Sequence, residues 1–213
     1  GRRRYARSSR SALLDAFSAA SEATVALVAG FVGDDFSLAC VAGHSSRERP
    51  LRCTIPACWS GQEGSLLLWL LVLTAYSALA VWLPRKRARD LVVWVTPVLA
   101  GIAVGFSWLL VAVSSPFDTI PVAADGNGLN PSLQNPYMVA HPGFLYLGYV
   151  GLAVPFAFAM GALLSGRTDE RWIVATRRWT IVAWTALGVG QLLGAHWAYQ
   201  EVGWGGYYAW DPV

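Results

Sequence analysis

Apolar residues along this chain fall in long blocks, not in short alternating runs. Four blocks stand out: Leu66–Leu83, Leu91–Val113, Phe144–Leu164 and Trp179–Trp197. Each is close to the roughly 17–25 residues that an apolar helix needs to cross a bilayer. A fifth block, Ala12–Val32, has the length but carries Asp15 and Glu22. Carboxylates are costly in lipid unless they sit near an end or face a protein interior. Polar stretches separate the blocks, and the one over 114–142 is rich in Pro, Gly and Asn, which is turn chemistry. The pattern predicts an all-α polytopic transmembrane protein with about five membrane spans.

Charge orients these spans. The arm "GRRRYARSSR", the turn "PRKRARD" and the segment "GRTDERWIVATRR" hold 13 of the chain's 16 basic residues. With five spans all three fall on one side, and the positive-inside rule makes that side cytoplasmic. The opposite side receives 33–65, 114–142 and the stretch after 198, and is acidic through Asp34, Asp35, Glu48, Glu63, Asp118, Asp125, Glu201 and Asp211. The net charge of +3 is therefore a topology signal, and no nucleic-acid partner is expected. Composition agrees, with 55% hydrophobic and only 14% charged residues, well below the charge of a soluble domain. The expected organisation is a cytoplasmic arm and first span over 1–33, an outer loop over 34–65, and two spans with a basic turn over 66–113. A second outer loop over 114–142 ends in His141, two spans fill 143–197, and an aromatic outer segment begins at 198.

Candidate chemistry is sparse. Cys40, Cys53 and Cys58 share the first outer loop, but their spacing is neither a Cys-x-x-Cys redox pair nor part of a zinc pattern. They are incidental or structural thiols, and two of them could pair in an oxidising compartment. The pairs Gly101/Gly105 and Gly190/Gly194 are small-xxx-small spacings that let helices approach closely. His44 reads as a solvated loop side chain and His196 as a hydrogen-bonded interfacial one. His141 stands directly before Pro142, and proline favours the first helical position, which places His141 near a helix N-cap. It is either such a cap or an axial ligand to a haem iron, since neutral imidazole is a common haem ligand.

The last thirteen residues, "EVGWGGYYAWDPV", follow the block Trp179–Trp197. Together with Trp197 and Tyr199 they cluster Trp204, Tyr207, Tyr208 and Trp210 around Gly203, Gly205 and Gly206. An interfacial aromatic belt accounts for the rings. A platform for a flat apolar partner accounts for the glycines as well, because they admit close backbone approach. Both readings stand on composition alone.

The segment "GWGGYYAWDP" resembles the tryptophan-rich WWD signature of haem-handling membrane proteins. "DDFSLACVAGHSS", "GQEGSLLLWLL", "DGNGLNPSLQNPYMVAHPGFLYLGYVGLAVPFAFA", "RRWTIVAWTALGVGQLLGAHWAY" and the closing "WDPV" are similar, in the same order, to the CcmF/NrfE family of cytochrome c-type biogenesis proteins. The similarity runs from about Asp34 to Val213. It implies a component of a cytochrome c haem lyase in the bacterial inner membrane, with its active surface periplasmic. In that family haem arrives from the chaperone CcmE, and a CcmH-type subunit presents apocytochrome c. The two thiols of the CxxCH motif then join the haem vinyl groups. The resemblance makes His141 an axial ligand of the haem in transit. It makes Trp204, Gly205, Gly206, Tyr207, Tyr208, Trp210 and Asp211 part of the WWD platform.

Departures from the family pattern are Gly143, where the family usually has a second proline, and Tyr207 and Tyr208, where tryptophans are common. The resemblance also implies about the N-terminal third of a longer protein. The partner outer histidine and both ligands of a structural haem b would lie beyond residue 213. The piece alone is then expected to bind haem weakly and not to ligate it. Two rival readings are a haem export or delivery protein of the CcmC type, and a structural membrane subunit with a plain aromatic belt.

Overall fold

The computed structural model describes residues 2–48, 50–83, 90–167 and 169–201. The basic turn 84–89 and the WWD-like segment 202–213 lie outside the described residues. Helices dominate: α1 (Arg2–Val32), α2 (Ala39–His44), α3 (Leu51–Ala57), α4 (Gln62–Trp82), α5 (Val92–Ala112), α6 (Pro136–Gly151), α7 (Ala153–Ser165) and α8 (Arg171–Glu201). A 3₁₀ turn at Pro131–Gln134 precedes α6. Among the described residues there is no strand, only an isolated antiparallel bridge between Leu38 and Thr119.

Four stretches are long and apolar enough to cross a membrane: Ser11–Val32, α4, α5, and α6 with α7 as one run over Pro136–Ser165. The chain is a multi-pass membrane protein of the all-α class. The doubtful first span is among the four by length and apolar composition; Leu13, Ala20, Leu27 and Phe31 are buried, while Asp15 and Glu22 lie on its exposed side. The block Trp179–Trp197 is helical throughout, but Gly188, Gly190, Gln191, Gly194 and His196 dilute it, and it is not one of the four. Large apolar side chains cover the outside, with Val111 83% and Trp184 74% exposed, as a lipid-facing surface requires.

The core follows from these faces. At one end Leu27 and Phe31 of α1 pack with Phe36, Cys40, Val41, Ala57, Leu67 and Leu110. Toward the other end Leu13 joins Ala80, Val81, Val95, Leu99, Val154 and Phe158. The two expected outer loops share the first end and are sewn together. Ala39 N–H donates to Asp118 O at 2.8 Å and Ile120 N–H to Ser37 O at 2.9 Å. Asn127 N–H reaches Ala42 O at 2.8 Å, and Arg47 N–H reaches the Asp125 carboxylate at 3.0 Å. The first loop is not mere coil, since α2 and α3 form inside it. Its cysteines Cys40, Cys53 and Cys58 are buried there and none is in a disulfide. At the opposite end Asp90, before α5, pairs with Arg167 and with Arg171 at 3.2 Å, and Arg171 also holds Asp169 at 2.6 Å.

The most extensive helix pair is α6 on α8, and it is antiparallel with a close backbone approach. A side chain added at Gly148 would stand 2.7 Å from Leu187 N and 2.9 Å from Ala183 O. One added at Gly190 would stand 2.9 Å from Leu145 N. Gly151 faces Ala183 in the same way. Without lipid–water contrast to drive helices together, such small-residue seams supply the packing. Of the two glycine pairs read from the sequence, only Gly190/Gly194 acts so. Gly101 and Gly105 are exposed with open space around them, because α5 turns that side outward.

Two predictions follow from these contacts. Gly148→Ala forces a methyl against α8 backbone and should destabilise by about 1–3 kcal/mol. A fall of several degrees in detergent melting temperature checks it, and an unchanged melt would refute the seam. The Asp125 carboxyl is held below its ordinary value of 3.8, mainly by the Arg47 and Gly126 N–H groups. A lowered carboxyl stabilises above the ordinary value and loses that contribution as pH falls through the lowered one. Amide exchange at Arg47 and Gly126, corrected for intrinsic rate, should therefore accelerate only below the ordinary carboxylate range, and Asp125→Ala should remove the dependence.

Candidate functional site

The site grows from the start of α6. Asn135 Oδ1 accepts from Tyr137 N–H at 2.9 Å, and Pro136 occupies the first helical position. This Asn–Pro pair starts the helix six residues earlier than the His141–Pro142 pair would. His141 is therefore not at an N-cap. It sits in the second turn, and Pro142 lies inside the helix, where it removes one donor from the ladder. The reason is chemical: an asparagine side chain satisfies an orphan N–H of the first turn, as a preferred cap does.

Asn135 also binds across to α8. Its amide donates to Gln200 Oε1 at 2.8 Å and to Glu201 Oε1 at 2.9 Å. Trp197 Nε1–H donates to Ser132 O at 2.8 Å. These bonds fix the end of α8 against the start of α6, just before the WWD-like segment.

His141 lies within this fork. Its Nδ1 stands 2.7 Å from Gly190 O. A carbonyl only accepts, so Nδ1 carries a proton, and in the neutral imidazole Nε2 keeps its lone pair. The ring covers Gly194, where an added side chain would meet Nδ1 at 2.7 Å. A backbone carbonyl on one ring nitrogen is the usual arrangement for an imidazole that ligates metal through the other. The half-buried ring thus fits an axial ligand to a haem iron.

The other sequence candidates divide. Trp204, Gly205, Gly206, Tyr207, Tyr208, Trp210 and Asp211 fall outside the described residues. His44 is not a freely solvated side chain. It is half-buried, its Nδ1 is 3.0 Å from Cys40 O, and its ring lies against Gly61. Cys40 is pushed up to about 11 by burial and by the nearby Glu63 carboxylate, so the thiol stays protonated. No group of three or more His, Cys, Asp or Glu among the described residues could hold a metal ion. Asn135 is the residue that sequence reading missed, although Asn-Pro before an apolar run is a helix-start signal.

Comparison with known proteins identifies the family. The family described as "Cytochrome C assembly protein" matches residues 59–213. The cytochrome c-type biogenesis protein CcmF of Pseudomonas aeruginosa is 45% identical over 185 residues, covering 86% of this chain and 28% of that protein. CcmF of Escherichia coli is 41% identical over 199 residues, covering 92% and 31%. NrfE of Haemophilus influenzae is 40% identical over the same length, with the same coverage. A solved structure of "Cytochrome c Heme Lyase CcmF" superposes with a TM-score of 0.81 at 38% identity, over 98% of this chain and 33% of that one. The chain spans about a third of the length of these relatives. With the matched family covering most of its length and these relatives aligned along nearly all of it, the chain belongs to the CcmF/NrfE family of cytochrome c-type biogenesis proteins.

Proposed function

We propose that this chain forms the haem-facing N-terminal part of a cytochrome c haem lyase. It acts at the periplasmic face of the bacterial inner membrane, receives haem from CcmE and serves apocytochrome c with a CcmH-type partner. The observation that carries the reading is the His141 imidazole, whose Nδ1–H is held by Gly190 O, which in the neutral ring leaves the other nitrogen unprotonated. The basic termini of α1 and α8 on the cytoplasmic side, and the acidic loops on the other, support the orientation.

When bound, haem supplies the vinyl groups at which the two thioether bonds form. The protein's part is positional. His141 Nε2 would hold the iron, Gly194 leaves room for the ring, and the Asn135 bonds fix the end of α8 against the start of α6. Trp204, Gly205, Gly206, Tyr207, Tyr208, Trp210 and Asp211 complete that platform in this reading. Bringing two thiols and a fixed macrocycle together converts a collision into a nearly unimolecular step. The first 33 residues, the loops over 34–65 and 114–142, and the spans over 66–113 and 143–197 carry this surface. A second, structural haem b belongs to the full-length protein.

The test is an absorption titration of the full-length protein with haem in mild detergent. His141→Ala should remove a distinct outer-face haem signal while any membrane-buried haem remains. Gly194→Ala, whose methyl would displace the ring, should weaken the same signal by about tenfold or more. Identical spectra for wild type and His141→Ala would leave His141 as a packing residue and sink the reading. Complementation of a CcmC-type deletion instead of a CcmF-type one would favour haem delivery without bond formation.

A further inference from the structure

We propose that His196 is a second iron-ligating imidazole for haem, presented on the lipid-facing side of α8 at the rim of an apolar groove. The proposal rests on the haem-handling reading above and concerns a different histidine and a different face of the helix.

The groove is open, about 410 Å³ in volume, and lined by Tyr137, Val189, Leu192, Leu193 and His196. Val189, Leu192, Leu193 and His196 recur at helical spacing, so they form one stripe along α8. That stripe is distinct from the Gly190, Gly194 and Ala198 face buried against α6. Leu192 is 73% exposed and His196 is exposed, so the stripe is accessible from the bilayer side.

The imidazole is held between two rings. Tyr137 meets it edge-on at 4.2 Å between centroids, and Tyr199 lies nearly parallel at 6.3 Å. Its tautomer is set by the Asn135 network. Asn135 Nδ2 donates to Gln200 Oε1, which fixes that amide and turns its nitrogen toward His196 Nε2 at 3.3 Å. An amide nitrogen donates, so His196 Nε2 accepts and carries the lone pair. At 3.3 Å the bond is at the long limit for N–H donors and is readily exchanged for a metal bond.

The occupant follows from this pairing of features. A lipid chain would fill the groove but could not replace the long Gln200 bond at His196 Nε2. An iron porphyrin offers both an apolar face for Leu192, Leu193 and the tyrosines, and a metal for Nε2. His196 stands two residues beyond Gly194, about 3 Å along the helix axis. The two imidazoles therefore lie at nearly the same level on neighbouring faces of α8. His196 provides a lateral station from which haem is passed to or from His141.

The experiment uses full-length protein in lipid nanodiscs, titrated with ferric haem and followed by absorption and electron paramagnetic resonance. Four forms are compared: wild type, His196→Ala, His196→Gln and His141→Ala. Both His196 variants should raise the haem Kd at least tenfold and remove a histidine-ligated component of the spectrum that His141→Ala retains. His196→Gln keeps a hydrogen-bonding partner for Gln200 without an imidazole, so wild-type behaviour of that variant would overturn ligation. Wild-type binding by both His196 variants, alongside loss in His141→Ala, would overturn this inference and leave the proposed function intact. Absence of haem uptake by the wild type would remove both.

Discussion

Everything at the candidate site depends on how closely two backbones approach. The α6 and α8 helices meet along Gly148, Gly151, Gly190 and Gly194, and each glycine faces a neighbour that a side chain would strike. In a bilayer there is no hydrophobic gain from moving one apolar helix onto another, so contact must come from shape. The seam has a fixed antiparallel register. Gly151 faces Ala183, Gly148 faces Leu187, Gly190 faces Leu145, and Gly194 faces His141. The last step of that series is where packing becomes chemistry, because the residue filling the glycine notch is an imidazole.

The polar end of the seam removes the remaining freedom. Asn135 satisfies the start of α6 with its oxygen and the end of α8 with its nitrogen. One buried side chain thereby sets the helix start, the splay of the fork and the amide that faces His196. Losing such a cap typically costs about 1 kcal/mol, and its loss here would also leave partners on α8 unpaired. At the other end the carboxylate of Asp90 gathers Arg167 and Arg171, so α5, α7 and α8 are tied where the chain is most basic.

Much of this was legible in the sequence. Long apolar blocks announce helices, four of them of spanning length and composition, while the block over 179–197 is helical without being one of the four. Gly190 and Gly194 were legible as a packing pair, yet the same spacing at Gly101 and Gly105 faces open space. Spacing states that two small residues share a helix face, not that another helix lies there. His141 was legible as a site residue but not in its place. Two Asx/His–Pro starts lie six residues apart, and only the asparagine supplies an acceptor for the first turn. The short helices α2 and α3 were hidden because they contain too few residues to show a period, and they form only by packing on α1 and α4. His44 was misjudged for the same reason: its burial comes from Gly61, seventeen positions away.

Under the proposed function, in which thiols of another protein are joined to haem, the three cysteines carry a consequence. Cys40, Cys53 and Cys58 are each buried in the cap beneath the sewn loops. A thiol reacts as its thiolate, and Cys40 is held protonated well above physiological pH. In that reading, exposed sulfur on this surface would compete with the incoming thiols. The cap works as chemical insulation, and it keeps its shape without a bond that a reducing or oxidising surrounding could make or break.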